Sequence, residues 1–105
     1  MNLVNLTPHA INLLTSDGGT ITLPPSGTVA RVSSKSVPVG EVDGVVLTRV
    51  TFGEVIDLPA PDGRCFIVSA LVRSALPSRN DLASPGELVR DSAGNVIGCK
   101  SLILN

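Results

Sequence analysis

Aromatic residues are almost missing from this sequence of 105 residues, which contains two Phe and neither Trp nor Tyr. Proteins that bind single-stranded nucleic acid stack the bases on aromatic side chains, so this composition argues against such a platform. The core must instead be built from aliphatic side chains, which bury less area each than aromatic ones. We therefore expect a small core, and we predict a homo-oligomer that covers more apolar surface.

An excess of charge of either sign is also lacking. Eight basic and nine acidic residues give a net charge of −1. A protein that binds DNA or RNA usually carries a basic excess that neutralises phosphates, and a DNA mimic needs a dense acidic surface. The charge balance therefore predicts no nucleic-acid partner.

Cysteine, histidine and long apolar runs are scarce as well. Cys65 and Cys99 show no metal-ligand spacing, and His9 is the single histidine, so no metal or other cofactor is predicted. Both cysteines lie in apolar runs, which favours buried, reduced thiols in a cytosolic protein, although a bridge between them stays open. No apolar run approaches the roughly 20 residues that span a bilayer, and the start lacks the basic residues of a signal peptide.

What the sequence does contain is a series of short β-type segments separated by turn signals, in a composition that is 43% hydrophobic. Spacing of this kind is typical of a mainly β, single-domain barrel or sandwich over residues 1–105, with about eight short strands. Gly53 is predicted to mark a bulge or bend, and Pro85-Gly86 a turn. Residues 33–44 are predicted to form an exposed loop with one short extended piece. The strand candidates are 3–6, 10–15, 20–23, 28–33, 45–52, 54–58, 65–68, 87–91 and 96–104.

One helical segment interrupts this pattern near residues 69–76. Ser69 precedes an apolar segment in the way of a helix N-cap, and Pro77 ends the segment. We predict a helix of two turns.

The motifs along the chain resemble a family of small, uncharacterised proteins of phages, prophages and actinobacteria. The resemblance begins with Asn-Leu-Thr-Pro-His at 5–9 and Ile11, continues through 24–31 and 67–72, and ends with Leu-Val-Arg-Asp at 88–91 and Gly98-Cys99. It covers nearly the whole chain except residues 33–44. It implies a phage-borne protein in the cytoplasm of a bacterial cell, and it carries no established activity.

His9 is the first candidate site residue. It follows Thr-Pro at a strand break, where the imidazole could project into a pocket and titrate near neutral pH. The alternative is a structural histidine that hydrogen-bonds the loop and sets the entry into the next strand.

Two Arg/Asp pairs form the second candidate. Arg79 with Asp81, and Arg90 with Asp91, could converge if the last hairpin folded back on the preceding loop. Arginine offers a planar fork of donors that suits phosphate or carboxylate, and Arg31 could join them. The alternative is two salt bridges that hold an irregular loop.

Ser69 is the third candidate, either as a ligand-binding residue or as the nucleophile of a hydrolase with His9 and an aspartate. A serine nucleophile usually sits in a Gly-x-Ser-x-Gly turn, whereas the context here is Ile-Val-Ser-Ala-Leu. Helix capping explains this serine fully, and no standard phosphate-binding glycine loop is present.

Three function classes follow from these residues. The first is a protein that binds a small anionic ligand and is not an enzyme, such as a sponge that sequesters a nucleotide signal of bacterial immunity. The second is a module that binds a host or phage protein through a strand edge or residues 33–44. The third is a small hydrolase. The ligand residues predicted for the first class are His9, Arg31, Ser69, Arg79, Asp81, Arg90 and Asp91.

Overall fold

The computed structural model describes residues 2–105, which form eight strands and one short helix. This confirms the predicted mainly β fold with its single helix near residues 69–76. The elements are β1 (Leu3–Asn5), β2 (Ile11–Leu14), β3 (Thr20–Leu23), β4 (Arg31–Val42), β5 (Val45–Ile56), β6 (Cys65–Ile67), α1 (Ala70–Ala75), β7 (Leu82–Arg90) and β8 (Val96–Leu104).

Six of these strands form one sheet in the order β1-β6-β7-β8-β2-β3, and the sheet is nearly closed and barrel-like. Its two outer strands are β1 and β3, and the side chain of Asn5 on β1 donates to the carbonyl of Leu23 on β3 at 3.0 Å. The segment after β3 then covers β1, because the amides of Ser26 and Ala30 donate to the carbonyls of Asn5 and Leu6. The two edges are therefore joined by one side chain and one connecting segment.

The core lies between this sheet and the helix, and it is aliphatic apart from the fully buried Phe66 on β6. The strand β6 is buried at all three positions and is an inner strand of the sheet, with β1 and β7 on its two sides. Val32 on β4 and Val55 on β5 pack against this core from the base of the β4–β5 hairpin. The buried cluster consists of Leu6, Ala30, Phe66, Val68, Val72 and Leu82.

Helix α1 begins as predicted at Ser69, whose side chain accepts a hydrogen bond from the Val72 amide at 3.3 Å. Val72 is its buried residue, and Leu76 is the C-cap, directly before Pro77. The C-terminal carbonyls of the helix receive a partner that the sequence did not suggest. Asn105 donates from its amide nitrogen to the carbonyls of Arg73 and Leu76.

The predicted loop at residues 33–44 is wrong. These residues belong to the 12-residue strand β4, which pairs along its length with β5 around a two-residue turn at Asp43 and Gly44. The local preferences of Pro38 and Gly40 favour a loop, but both strands of a two-stranded ladder are edges, where proline is tolerated beside a bulge. The register does shift between Pro38 and Gly40.

The predicted strands 45–52 and 54–58 are likewise one continuous strand, β5. Gly53 marks a bulge as expected, since the register shifts where Phe52 pairs with Ser34 and Val55 pairs with Val32. Two residues of β5 therefore lie opposite one residue of β4 at this point.

Pro85 and Gly86 do not form a turn but lie inside β7, which begins at Leu82. The neighbouring strand β6 pairs with β7 only at Leu82 and Ala83, so the ladder on that side has ended before Pro85. A proline there removes no sheet hydrogen bond. Gly86 fits because a Cβ atom at this position would lie 2.7 Å from Ile103 on β8.

Candidate binding surface

The Asn-Leu-Thr-Pro-His motif is organised around the buried side chain of Asn5. Its amide nitrogen donates to the carbonyls of His9 at 2.8 Å and Leu23 at 3.0 Å, and its oxygen accepts from the amide and hydroxyl of Thr7. Both donors and the acceptor are thus used inside the protein. The motif is a structural unit that directs the chain from β1 into β2.

His9 takes part in this unit through its backbone carbonyl, while its side chain is exposed. Within residues 2–105 its imidazole has no hydrogen-bond partner and lines none of the described cavities. The position therefore matches the structural alternative for the loop, carried by the main chain and not by the ring.

Arg79 and Asp81 form a bidentate pair, with Nε and Nη2 of the guanidinium each 2.8 Å from a carboxylate oxygen. The guanidinium also donates to the Pro59 carbonyl at 3.0 Å and so holds the 59–63 turn against the start of β7. The Arg79 hydrogen bonds lower the pKa of Asp81 below its usual value. The side chains are 20% and 15% exposed, so the pair is shielded from solvent on most sides.

Arg90 and Asp91 hold the turn between β7 and β8. Asp91 accepts from the backbone amides of Ala93 and Asn95, and these hydrogen bonds lower its pKa. Arg90 donates to the Gly94 carbonyl at 3.0 Å. Each side chain acts within its own turn.

The two Arg/Asp pairs do not converge. Arg79 and Asp81 precede β7, while Arg90 and Asp91 lie at its other end, and nine residues of strand span about 30 Å. Ser69 is used at the helix cap, so the structure also places it in no set with His9 and an aspartate. Of the seven predicted ligand residues, only Arg31 lies on a surface with other cations that form no ion pair within residues 2–105.

That surface belongs to the hairpin of β4 and β5, which we call the arm. Residues that pair across an antiparallel ladder share one face, so the register assigns each arm residue to a side. The register places Val32 and Val55, at the core, on the same side as Ser34 and Phe52. The core-facing row therefore continues outward along the arm.

We call this side the apolar face. It carries Phe52, Val50 and Val46 on β5, opposite Ser34, Ser36 and Glu41 on β4. The three β5 side chains are 39%, 50% and 56% exposed. The pair between Val50 and Val46 is Thr48 with Pro38, so a polar residue interrupts the apolar row of β5.

The opposite side of the arm is its cationic face, which carries Arg31, Lys35 and Arg49. Lys35 pairs with Thr51 and Arg49 with Val37, so the two cations are diagonal neighbours roughly 7–8 Å apart. Within residues 2–105 the salt bridges are those of Arg64 with Asp62 and Arg79 with Asp81, so none of the three cations forms an ion pair there. The same face also carries exposed apolar side chains, namely Ile56, Leu47, Val42 and Val45.

The candidates predicted from the sequence do not include Lys35, Arg49 or the apolar face, because residues 33–44 are predicted to form a loop. The signal that could have found them is Asp43-Gly44 between valines, a dipeptide typical of a two-residue hairpin turn. Asp43 and Gly44 do have positive φ angles of 50° and 82°.

One cavity of the barrel has a volume of about 230 Å³ and is lined by residues of β2, β7 and β8, including Ile11, Leu88 and Ile97. No group of three or more His, Cys, Asp or Glu side chains within residues 2–105 could hold a metal ion. In the same residues, no helix has the length and apolarity required to cross a membrane.

Cys65 and Cys99 are both buried and unpaired in the described part of the chain. Burial raises the pKa of each thiol, and Asp81 adds to the effect at Cys65. Neither has the character of a reactive thiolate.

Comparison of the chain with protein-family models, with curated proteins and with solved structures finds no match. The resemblance to small phage and actinobacterial proteins therefore stays a prediction, and the site must be judged on its geometry alone.

Proposed function

We propose that this protein is a binding module that engages a protein partner through its arm. The observation that carries the proposal is the run of exposed apolar side chains on a hairpin that extends away from the core. Contiguous exposed apolar surface of this kind marks interaction sites in soluble proteins. The residues are Val39, Val42, Val45, Val46, Leu47, Val50 and Phe52, each between 39% and 63% exposed.

The arm makes few contacts with the rest of the chain. Its two strands contact each other and, at the base, helix α1. A hairpin of two strands is marginally stable in water, so an arm of 12-residue strands needs a surface to pack against. A partner that covers the arm would supply that surface.

Site-specific photo-crosslinking in the producing cells tests this function. A photoreactive residue replaces Val50 on the arm or Val96 on the barrel, two valines that are 50% and 51% exposed. We expect a discrete adduct of higher mass from position 50 and none from position 96. Equal labelling from both positions, or no adduct from position 50, would show that the arm is not a binding surface.

A second function is favoured by the cationic face. Arg31, Lys35 and Arg49 lie on one side of the arm without a carboxylate partner in the described residues, as an anionic ligand would require. The predicted sequestration of a nucleotide signal of host immunity belongs to this second proposal.

A thermal-shift screen with cyclic and linear nucleotides tests it, followed by chromatography of the ligand released by heat. A ligand at about a hundred times its dissociation constant should stabilise the fold by roughly 2.7 kcal/mol. The Lys35→Ala/Arg49→Ala variant should lose the shift, and Lys100→Ala, on the barrel strand β8, should keep it. Ligand recovered unchanged supports sequestration; absence of a shift across the panel contradicts it.

A further inference from the structure

We infer that the protein partner of the arm carries an acidic segment, and that this segment lies along the cationic face. The inference rests on the proposed function, which makes the arm a binding surface for a protein, and it states the chemistry of that partner. Three features of the arm lead to it: the charge of the cationic face, the order of charged and apolar side chains along it, and the acids at the tip.

The first feature is the excess of positive charge. Glu54 precedes Val55, which packs at the core, so strand alternation places Glu54 on the cationic face as its one acid along the ladder. Three cations less one acid leave this face at +2, on a chain whose net charge is −1. An acidic surface on the partner would be complementary to this face, which speeds association and excludes partners of like charge.

The second feature is the order of side chains along the face. Apart from Ile56 at the base, the half from Arg31 to Arg49 carries the cations and the half beyond Arg49 is apolar. Arg49 lies opposite Val37, six residues after Arg31, so the cationic half is about 20 Å long. The apolar half carries three side chains that are 45–63% exposed, namely Leu47, Val42 and Val45. A matching segment therefore has acidic residues over about 20 Å and apolar residues next to them.

The third feature is the acidic tip, which favours a protein over a membrane. Asp43 lies in the tip turn, and Glu41 lies two residues before it on the apolar face. An anionic lipid surface would suit the cations, but insertion of the apolar half would carry both carboxylates into the hydrocarbon region. Placing a carboxylate there is costly.

A nucleotide would use only part of the cationic face. Its phosphates would pair with the cations, but the apolar half would stay uncovered, and the ladder places no aromatic side chain on this face for a base to stack on. An acidic protein segment with apolar neighbours uses both halves.

Photo-crosslinking from the cationic face tests the inference. A photoreactive residue replaces Leu47 of the full chain in the producing cells, and mass spectrometry identifies the molecule and the peptide joined to it. We expect a protein adduct whose crosslinked peptide has a net negative charge. Lys35→Glu/Arg49→Glu should lower the yield of this adduct at least about tenfold, because it sets like charges against the acidic segment.

Two further variants serve as controls. Lys100→Glu reverses an exposed charge on the barrel strand β8, so it should leave the yield unchanged. Lys35→Gln/Arg49→Gln removes both charges without adding acids and should also lower the yield. This neutral variant keeps the test decisive if the charge reversal unfolds the arm.

A crosslinked peptide without an excess of acids would overturn the inference, as would an adduct with lipid or nucleotide, or a yield that charge reversal does not change. Failure of the proposed function has a different result. Adducts from position 50 but none from position 47 would leave the arm as a binding surface and remove only the acidic segment. The absence of adducts from both positions would overturn both proposals.

Discussion

At the scale of single residues, two asparagine side chains join separate elements of this fold, a role that the sequence analysis did not assign to them. Asn5 is 3% exposed and uses all of its hydrogen-bonding groups to join β1, β3 and the loop at His9. Asn105 caps the end of the helix in a similar way. Buried amides of this kind stabilise a fold because each group left without a partner would carry its full desolvation cost.

Asn5→Asp is expected to lower the free energy of unfolding by at least about 3 kcal/mol, since it removes two donors and buries a carboxylate. Urea denaturation at neutral pH measures this change. Asn12→Asp is the control, because Asn12 is exposed and donates one hydrogen bond to Ile97, so its cost should stay within about 1 kcal/mol. Similar losses in the two variants would contradict the role assigned to Asn5.

The Arg79–Asp81 pair predicts a pH-dependent contribution to stability. The pKa of Asp81 is lowered in the folded state by Arg79, so the pair stabilises the fold above the ordinary carboxyl pKa of about 3.9. That contribution is lost as the pH falls through the lower, folded value. Arg79→Ala should therefore cost about 2 kcal/mol at neutral pH and progressively less below pH of about 4.

Arg64→Ala is the matched control for this pair, because Arg64 and Asp62 have the same two-residue spacing but are each 42% exposed. Exposed pairs contribute little, and the Arg64 guanidinium also lies 5.2 Å from the centre of the Phe66 ring, so we expect a loss smaller than that of Arg79→Ala. Denaturation curves of both variants from neutral to acid pH check this. A loss for Arg79→Ala that did not shrink in acid would show that the residue acts through packing and not through the carboxylate.

At the scale of elements, the arm is where reasoning from the sequence failed. Residues 33–44 contain Pro38, Gly40 and three serines, whose local preferences are those of a loop. The sequence pattern therefore predicts a loop where the structure has a strand. Pairing with the β-branched strand β5 overrode those preferences. Sequence patterns predict a strand from its own residues, whereas a hairpin is stabilised by cross-strand pairs.

The turn at the tip gives a prediction for this element. Gly44→Val should weaken the arm by about 1 kcal/mol, because Gly44 has a φ of 82° that a β-branched residue adopts at a cost. Gly40→Val should not weaken it, since that position has the same open space without a positive φ. Faster hydrogen exchange across β4 and β5 in the first variant alone is the expected result. Equal hydrogen-exchange rates in the two variants would show that the turn does not determine the stability of the arm.

At the scale of the whole molecule, the chain consists of a small barrel and an arm that the barrel does not cover. The principal extents are 50, 39 and 21 Å, which describe a flat and elongated particle. A homo-oligomer, which the composition predicts, would make folding depend on assembly.

The temperature of unfolding should therefore rise with protein concentration. A hundredfold increase is expected to raise the Tm by several degrees, because mass action favours the assembled folded state. Differential scanning calorimetry of wild type and Val50→Lys checks this, and the variant should show a Tm that does not change with concentration. A constant Tm for wild type would mean that the arm contributes no stability through association.

Local sequence was sufficient to predict the β class, the single helix with its cap at Ser69, the bulge or bend at Gly53, and the ion pair of Arg79 with Asp81 as one of two alternatives. These features depend on neighbours within a few residues along the chain, so local propensity and spacing can predict them. Three further features required the folded structure: the two Arg/Asp pairs lie at opposite ends of β7, Asn5 joins the sheet edges, and Lys35 and Arg49 share a face with Arg31. The physical reason is that strand pairing and register join residues far apart in sequence, and they decide which side chains meet.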